Sequence, residues 1–425
     1  MATDVDVQYF SHLNGLTLGN NWGDLIRLLD NTLVTGIDFT QITAASIGAQ
    51  GDVHITLYAA HKAMLFQVVE LSGFTPASLN QKYRIKGVPN TTQLILKPKL
   101  DIAERAITTT GAGKLASLGY DIIFRDLNDV KRVYRAKNPT AQHPFIRVDE
   151  SLTSPDGVTG IYGSSYAKYG MVGLLERMDH IDDYENPDVL QLPFDPANPS
   201  KNWKITGTGT GAARGWSRWY FGTNNEPYSG SSGTSGGSSG ARKFTLFGNV
   251  DCFYLNRSTT PNSQYKYISG AGLFNESIDS SVIPSWFLMT YMSLANAGQS
   301  INPVDIQGGE PFSWNPNTGS FFTLTYNPTS RLSQHTASTP ITPDFSTGMS
   351  ALYSGSELAA VEIPFFDAAK RLRGSLKHIF YCGDKHNINK TETTPILSDN
   401  SMFVYDSLDL AGNYGGVYFY VGVLE

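Results

Sequence analysis

The chain has 425 residues, room for about two to four domains, yet only 16% are charged, against roughly 25% in ordinary soluble domains. A formal net charge of −6 provides no global basic field, which argues against nucleic acid as a partner. The opening MATDVDVQYFSHLNG has neither the basic flank nor the apolar core of a signal peptide, and no run approaches the ~18 apolar residues of a membrane span. The expectation is synthesis in a cytoplasm and no membrane span.

In chain order, the first element is a helix over 22–35. Asn20 or Asn21 is placed to cap it, and Asp24 sits in the first turn where the helix dipole favours negative charge. Trp22, Leu25, Ile26, Leu29 and Leu33 recur at helical spacing, and Gly36 is placed to end the helix in a left-handed conformation. That apolar face packs either on the body of the protein or on a neighbouring subunit. Together with the arm at 1–20 it is the first choice for intersubunit contacts.

Beyond the helix, short strands dominate. Asp52–Tyr58, Phe66–Leu71, Tyr83–Val88 and Gln93–Lys97 alternate or run apolar between turn signals, which predicts a small β barrel or sandwich. A short helix is expected near Asp101–Arg105. Strands are predicted at Tyr120–Phe124, Lys131–Arg135, Phe145–Asp149 and Gly170–Met178, with long loops over much of 155–215.

Residues 229–240 read SGSSGTSGGSSG. Both flanks, Gly215–Gly222 and Lys243–Leu255, are aromatic and strand-like, so 223–241 reads as a flexible loop inserted within one β domain, with nothing to bury. Further strands are expected at Trp286–Met292, Ser320–Tyr326, Ala360–Pro364, Ser375–Tyr381, Met402–Tyr405 and Gly416–Leu424.

The predicted fold class is mainly β. An arm and helix fill 1–40, a small β domain fills 41–100, and a larger β-sandwich-like domain with long loops fills 101–425.

Motifs for catalysis are weak. Gly207-Thr-Gly-Thr-Gly211-Ala-Ala-Arg-Gly215 leads into an aromatic strand, whereas a dinucleotide fingerprint follows a strand and opens a helix. Met178-Asp-His-Ile-Asp-Asp-Tyr-Glu185 gathers hard oxygen ligands, but without the alternation and central glycine of a calcium loop, so an acidic surface turn is expected. Cys382-Gly-Asp-Lys-His386 brings a thiol near an imidazole with no orienting partner. Neither Cys252 nor Cys382 lies in a CxxC, and two buried free thiols are expected. No G-x-S-x-G elbow and no H-E-x-x-H helix occurs. No catalytic residue, cofactor or metal is therefore assigned. Trp216, Trp219 and Tyr220 are the candidates for an exposed aromatic platform of the kind a glycan-binding surface needs.

The segment YFSHLNGLTLGNNWGDLIRLLDNTLVTGID resembles the start of a family of tailed-bacteriophage virion proteins. His12, Leu18, Gly23, Leu25, Ile26, Leu29, Asp30, Leu33, Val34 and Gly36 fall on its pattern. Val68–Asn80 resembles the family's "V-x-I-x-G-x-T-P-x-x-L-N-G" stretch, departing at Gln81 where the family commonly has Gly. Val133–Ala141, Phe145–Asp149 and Arg373–Tyr381 resemble three later segments.

The resemblance implies a non-enzymatic structural component of the virion, assembling as a homo-oligomeric ring or sleeve in the tail, baseplate or neck. Its partners would be copies of itself and other tail, neck or baseplate proteins. Two alternatives stand beside it: a capsid decoration or shell protein, and a receptor module of the tail that binds or cleaves a host surface carbohydrate.

Overall fold

The computed structural model describes residues 4–224, 235–261, 263, 266–279, 281–293, 306–307, 320–341, 360–383, 392–410 and 413–424. The protein is mainly β, with one short helix near its N-terminus.

In the strand Val53–Leu57, Val53, Ile55 and Leu57 are buried while His54 faces out, the period of two that a half-buried strand imposes. Seven such antiparallel strands between Ile37 and Leu115 form an N-terminal sheet. Its order is Ile37–Asp38, Ala112–Leu115, Val68–Ser72, Lys82–Asn90, Gln93–Pro98, Val53–Leu57 and Ile42–Ile47. The first and last of these are consecutive in the chain. Laid flat, seven strands spaced about 4.8 Å apart would hold them about 29 Å apart, yet residues 39–41 span at most about 14 Å. The sheet must therefore roll up. Phe39 N donates to Gly113 O and Tyr58 N to Gln41 O, tying the linker to both ends.

The central sheet runs Ile306–Gln307, Tyr291–Ser293, Ser217–Gly222, Lys168–Leu175, Phe145–Asp149, Lys131–Ala136 and Tyr120–Arg125, with Gln191–Leu192 paired beside Lys168–Leu175. The Lys168–Leu175, Phe145–Asp149 and Ser217–Gly222 strands are buried throughout, so both faces are covered. Trp219 faces the large sheet, its ring edge-on to Phe253 at 5.8 Å. Tyr220, one residue on, faces the opposite side and packs on Tyr169 at 4.8 Å. Trp216, Trp219 and Tyr220 are only 6%, 0% and 0% exposed. The expected exposed platform is thus interior, because this strand lies between two packed layers.

The large sheet has thirteen strands, starting at Gln8–Ser11 and ending at Thr394–Ser398. Twelve strands in sequence would place its ends about 53 Å apart if flat. Instead Thr393 Oγ1 donates to Ser11 Oγ at 2.8 Å. The sheet curls back on itself around an aromatic core in which Phe247 stacks on Phe419 at 4.7 Å.

The arm is part of this architecture. Gln8–Ser11 pairs with Phe244–Gly248, and Gln8 Nε2 donates to Val68 O and Ala116 O of the rolled N-terminal sheet. Arg84, fully buried, donates to Asp4 O, Val7 O, Phe66 O and Val421 O, joining the arm, the N-terminal sheet and the C-terminal strand. The described part of the arm, residues 4–20, is tied into its own chain along much of its length, with Leu13 left 41% exposed.

The helix occupies Asp24–Leu29 and continues as a wider turn over Asp30–Thr35. Leu25, Ile26, Leu29 and Leu33 are each 0% exposed and belong to the protein's own core. They are not available to a second subunit. Trp22 is partly buried against a second cluster of the same chain.

The cap also differs from expectation. Gly23, at φ +87°, precedes the helix without a side-chain cap, and the carboxylate of Glu150 takes the free N–H groups instead. Gly36 ends the turn at φ +77°, and a Cβ there would lie 2.2 Å from Leu115 O. Residues 101–105 are not helical; five residues form at most one costly turn, and Arg105 Nη1 bonds Gly48 O.

Residues 225–234 of the expected loop, with the first half of the Ser/Gly stretch, lie outside the described residues. Its flanking strands, Ser217–Gly222 and Phe244–Gly248, belong to two different sheets, which pack face to face through Trp219 and Phe253.

Candidate functional site

A groove of about 650 Å³ opens beside the helix. Four segments build it. Trp22 comes from the turn before the helix; Arg125–Lys131 is the hairpin tip between the strands Tyr120–Arg125 and Lys131–Ala136. Residues 150–155 follow the strand Phe145–Asp149, and Ile181 and Asp182 come from the acidic turn.

Each wall is fixed by local chemistry. Asp126 shapes the hairpin tip: its carboxylate accepts from the N–H groups of Asn128, Val130 and Lys131 at 3.2, 3.0 and 2.7 Å. The indole of Trp22 donates to Ser164 O at 3.0 Å and stands edge-on to Tyr162 at 5.9 Å. The buried guanidinium of Arg214 lies 5.1 Å from the Trp22 ring centre. It donates to Ser151 O, Tyr169 O and Asp149 O, fixing the 149–151 backbone beneath the indole.

The ionic groups of the groove are already engaged. Asp182 accepts from Lys131 Nζ at 2.9 Å and from Arg147 Nη2 at 2.6 Å. Arg147 also bonds Asp149 and lies 4.4 Å from the Trp203 ring centre. Burial works to raise the Asp149 pKa, but Arg147, Arg214, Lys131 and the Ser151 hydroxyl outweigh it and hold this carboxyl below the usual range. Glu150 shows the opposite balance. Its oxygens accept from Gly23 N at 2.6 Å and Ile26 N at 3.0 Å, yet complete burial pushes its pKa up to about 7.

Of the residues singled out as candidates in the sequence, Trp22, Ile181 and Asp182 reach this groove. Leu25, Ile26, Leu29 and Leu33 lie in the core beside it, and Trp216, Trp219 and Tyr220 lie in the interior.

The acidic run forms a turn that closes on itself, with Asp183 accepting from Asp179 N and His180 Nδ1 from Asp182 N. Among the described residues no three His, Cys, Asp or Glu side chains are placed to share a metal ion. The glycine-rich stretch forms a strand, Ile205–Thr208, then a single tight turn. Cys252 is buried and free, and burial pushes its thiol up to about 12. His386 and the Cys382 side chain lie outside the described residues.

Sequence reasoning missed Asn128, Glu150 and the 151–155 segment. The Asp126-Leu-Asn-Asp129 turn signal between two strands was legible, but nothing local places it opposite Trp22.

No family model matches the chain, and no curated protein matches it. Among solved structures, phage phi92 endosialidase is similar at 10% identity, with a TM-score of 0.14, over 99% of this chain and 52% of that one. The chain thus spans about half the length of that protein. A superposition that poor carries no argument about fold or activity.

Proposed function

We propose that this chain is a non-catalytic structural component of a tailed-bacteriophage virion, assembling with copies of itself as a ring or sleeve in the tail, baseplate or neck. One observation supports the reading above the others: segments that resemble the virion family pack on one another. Asp30 of the helical segment accepts from Tyr134 Oη of the later Tyr-Arg segment, and from Arg132 Nε just before it. The helix N-terminus is held by Glu150, next to the Phe145–Asp149 segment.

Arg373 of the last segment is buried and faces Glu276 and Asp367. A pattern kept for packing a shared scaffold would fall on such positions. A pattern kept for chemistry would fall on groups left free to react.

With the helix in the core, contacts between copies belong to other surfaces, where Tyr58, Leu100, Leu127 and Val158 stand exposed at turns and loops. The test is quantitative mass spectrometry of purified particles of a phage encoding this chain. Copies in the number of one or a few rings per particle support a tail, baseplate or neck position. Capsid-scale copy numbers move it to the shell, and absence from particles refutes the proposal.

A further inference from the structure

The geometry points to the groove beside Trp22 as a binding site for a neutral oligosaccharide, whether or not the chain is a virion component. Trp203, Trp216, Trp219 and Trp286 are buried, whereas Trp22 is partly exposed and lines a groove of about 650 Å³. That volume lies within the range of small-molecule sites. The indole is held rigidly, by its bond to Ser164 O, by Tyr162 and by the Arg214 guanidinium. A pre-fixed aromatic surface binds with little loss of side-chain freedom.

The charge state of the groove selects the ligand class. Asp182 is neutralised by Lys131 and Arg147. Asp126 is spent on the hairpin backbone and lies 3.8 Å from Arg132. Glu150 is spent on the helix N-terminus. Arg125 lies 3.7 Å from Asp30. An anionic or cationic ligand would have to compete with these existing partners for the same groups, whereas a neutral ligand leaves every pair in place.

What remains for a ligand is the Trp22 indole with the apolar side chains of Leu127, Leu152 and Ile181 beside it, the rim hydroxyls of Ser151 and Thr153, and the exposed amide of Asn128. The hydroxyl of Ser151 donates inward to Asp149, so its oxygen can still accept. One apolar plate with uncharged hydrogen-bonding groups around it matches a sugar ring, which has an apolar C–H face and a hydroxyl edge.

The purified full chain on an array of bacterial surface oligosaccharides, neutral and acidic, tests this. Binding to neutral saccharides is expected, weakened about tenfold by Trp22→Ala, as loss of one strong aromatic contact implies. Trp22 also packs on Tyr162, so Asn128→Trp, which adds bulk at an exposed turn and leaves the core untouched, is the companion variant. Asn128→Trp should abolish binding while leaving thermal unfolding unchanged. Binding confined to acidic saccharides, binding indifferent to Asn128→Trp, or no binding by the wild-type chain would each overturn the assignment.

Discussion

Glu150 makes the stability of this fold depend on pH in a way its position dictates. The carboxylate caps the helix through two N–H bonds, which favour ionisation, but it is wholly buried, which opposes it more strongly. The rise from 4.5 to about 7 corresponds to about 3 kcal/mol. Because the folded pKa is raised, this stability is fully present below pH 4.5 and is lost as pH rises through 7.

Glu150→Gln removes the ionisation but turns an amide N–H₂ toward one of the two backbone donors, losing one cap bond at a cost of about 1–2 kcal/mol. The variant should therefore be less stable than wild type at pH 5 by about 1–2 kcal/mol. At pH 8 the order should reverse, with the variant about 1–2 kcal/mol more stable. Urea denaturation of both proteins between pH 5 and 8 reads this crossover. Burial lowers the pKa of His12, His335 and His378, which makes stability rise with pH near 6, but that contribution is common to both proteins and cancels in their difference. A stability difference constant across the window would refute the reasoning.

Three further outcomes rest on buried groups. Arg84→Lys replaces a planar fork that reaches four carbonyls with a single ammonium; a loss of about 3 kcal/mol or more is expected, with faster proteolysis of the freed arm as the local readout. Lys266 and Asp406 pair with both side chains at 0% exposure, so Asp406→Asn should cost about 3–5 kcal/mol by stranding the ammonium, measured by chemical denaturation. Trp219→Ala should cost about 3–5 kcal/mol from the cavity, and more from stranding Met289 O, which its indole now bonds. Were Trp219 a surface platform, thermal unfolding would barely move.

Periodicity and turn chemistry, both local, were legible in the sequence. Val53–Leu57 alternates because one face of a strand is wet, and Asp126 marks its turn because a short carboxylate can reach three following N–H groups. The mainly β class, most strands and the helix start near Asp24 needed no more than that.

Which side of a burial an aromatic strand meets is not local. Trp216–Tyr220 reads the same whether one face or both are covered, and only the stacking of the large sheet over the central sheet puts Trp219 and Tyr220 inside. The helix face gives the same lesson, since an apolar stripe specifies burial and not the partner; here Leu25, Ile26, Leu29 and Leu33 found it within their own chain. The cap from Glu150, 124 residues beyond Ile26, and the groove uniting Trp22, Asn128 and Asp182 exist only because the helical segment packs on the central sheet. Which distant segments meet is set by the pairing and twist of whole sheets, which no short window of sequence encodes.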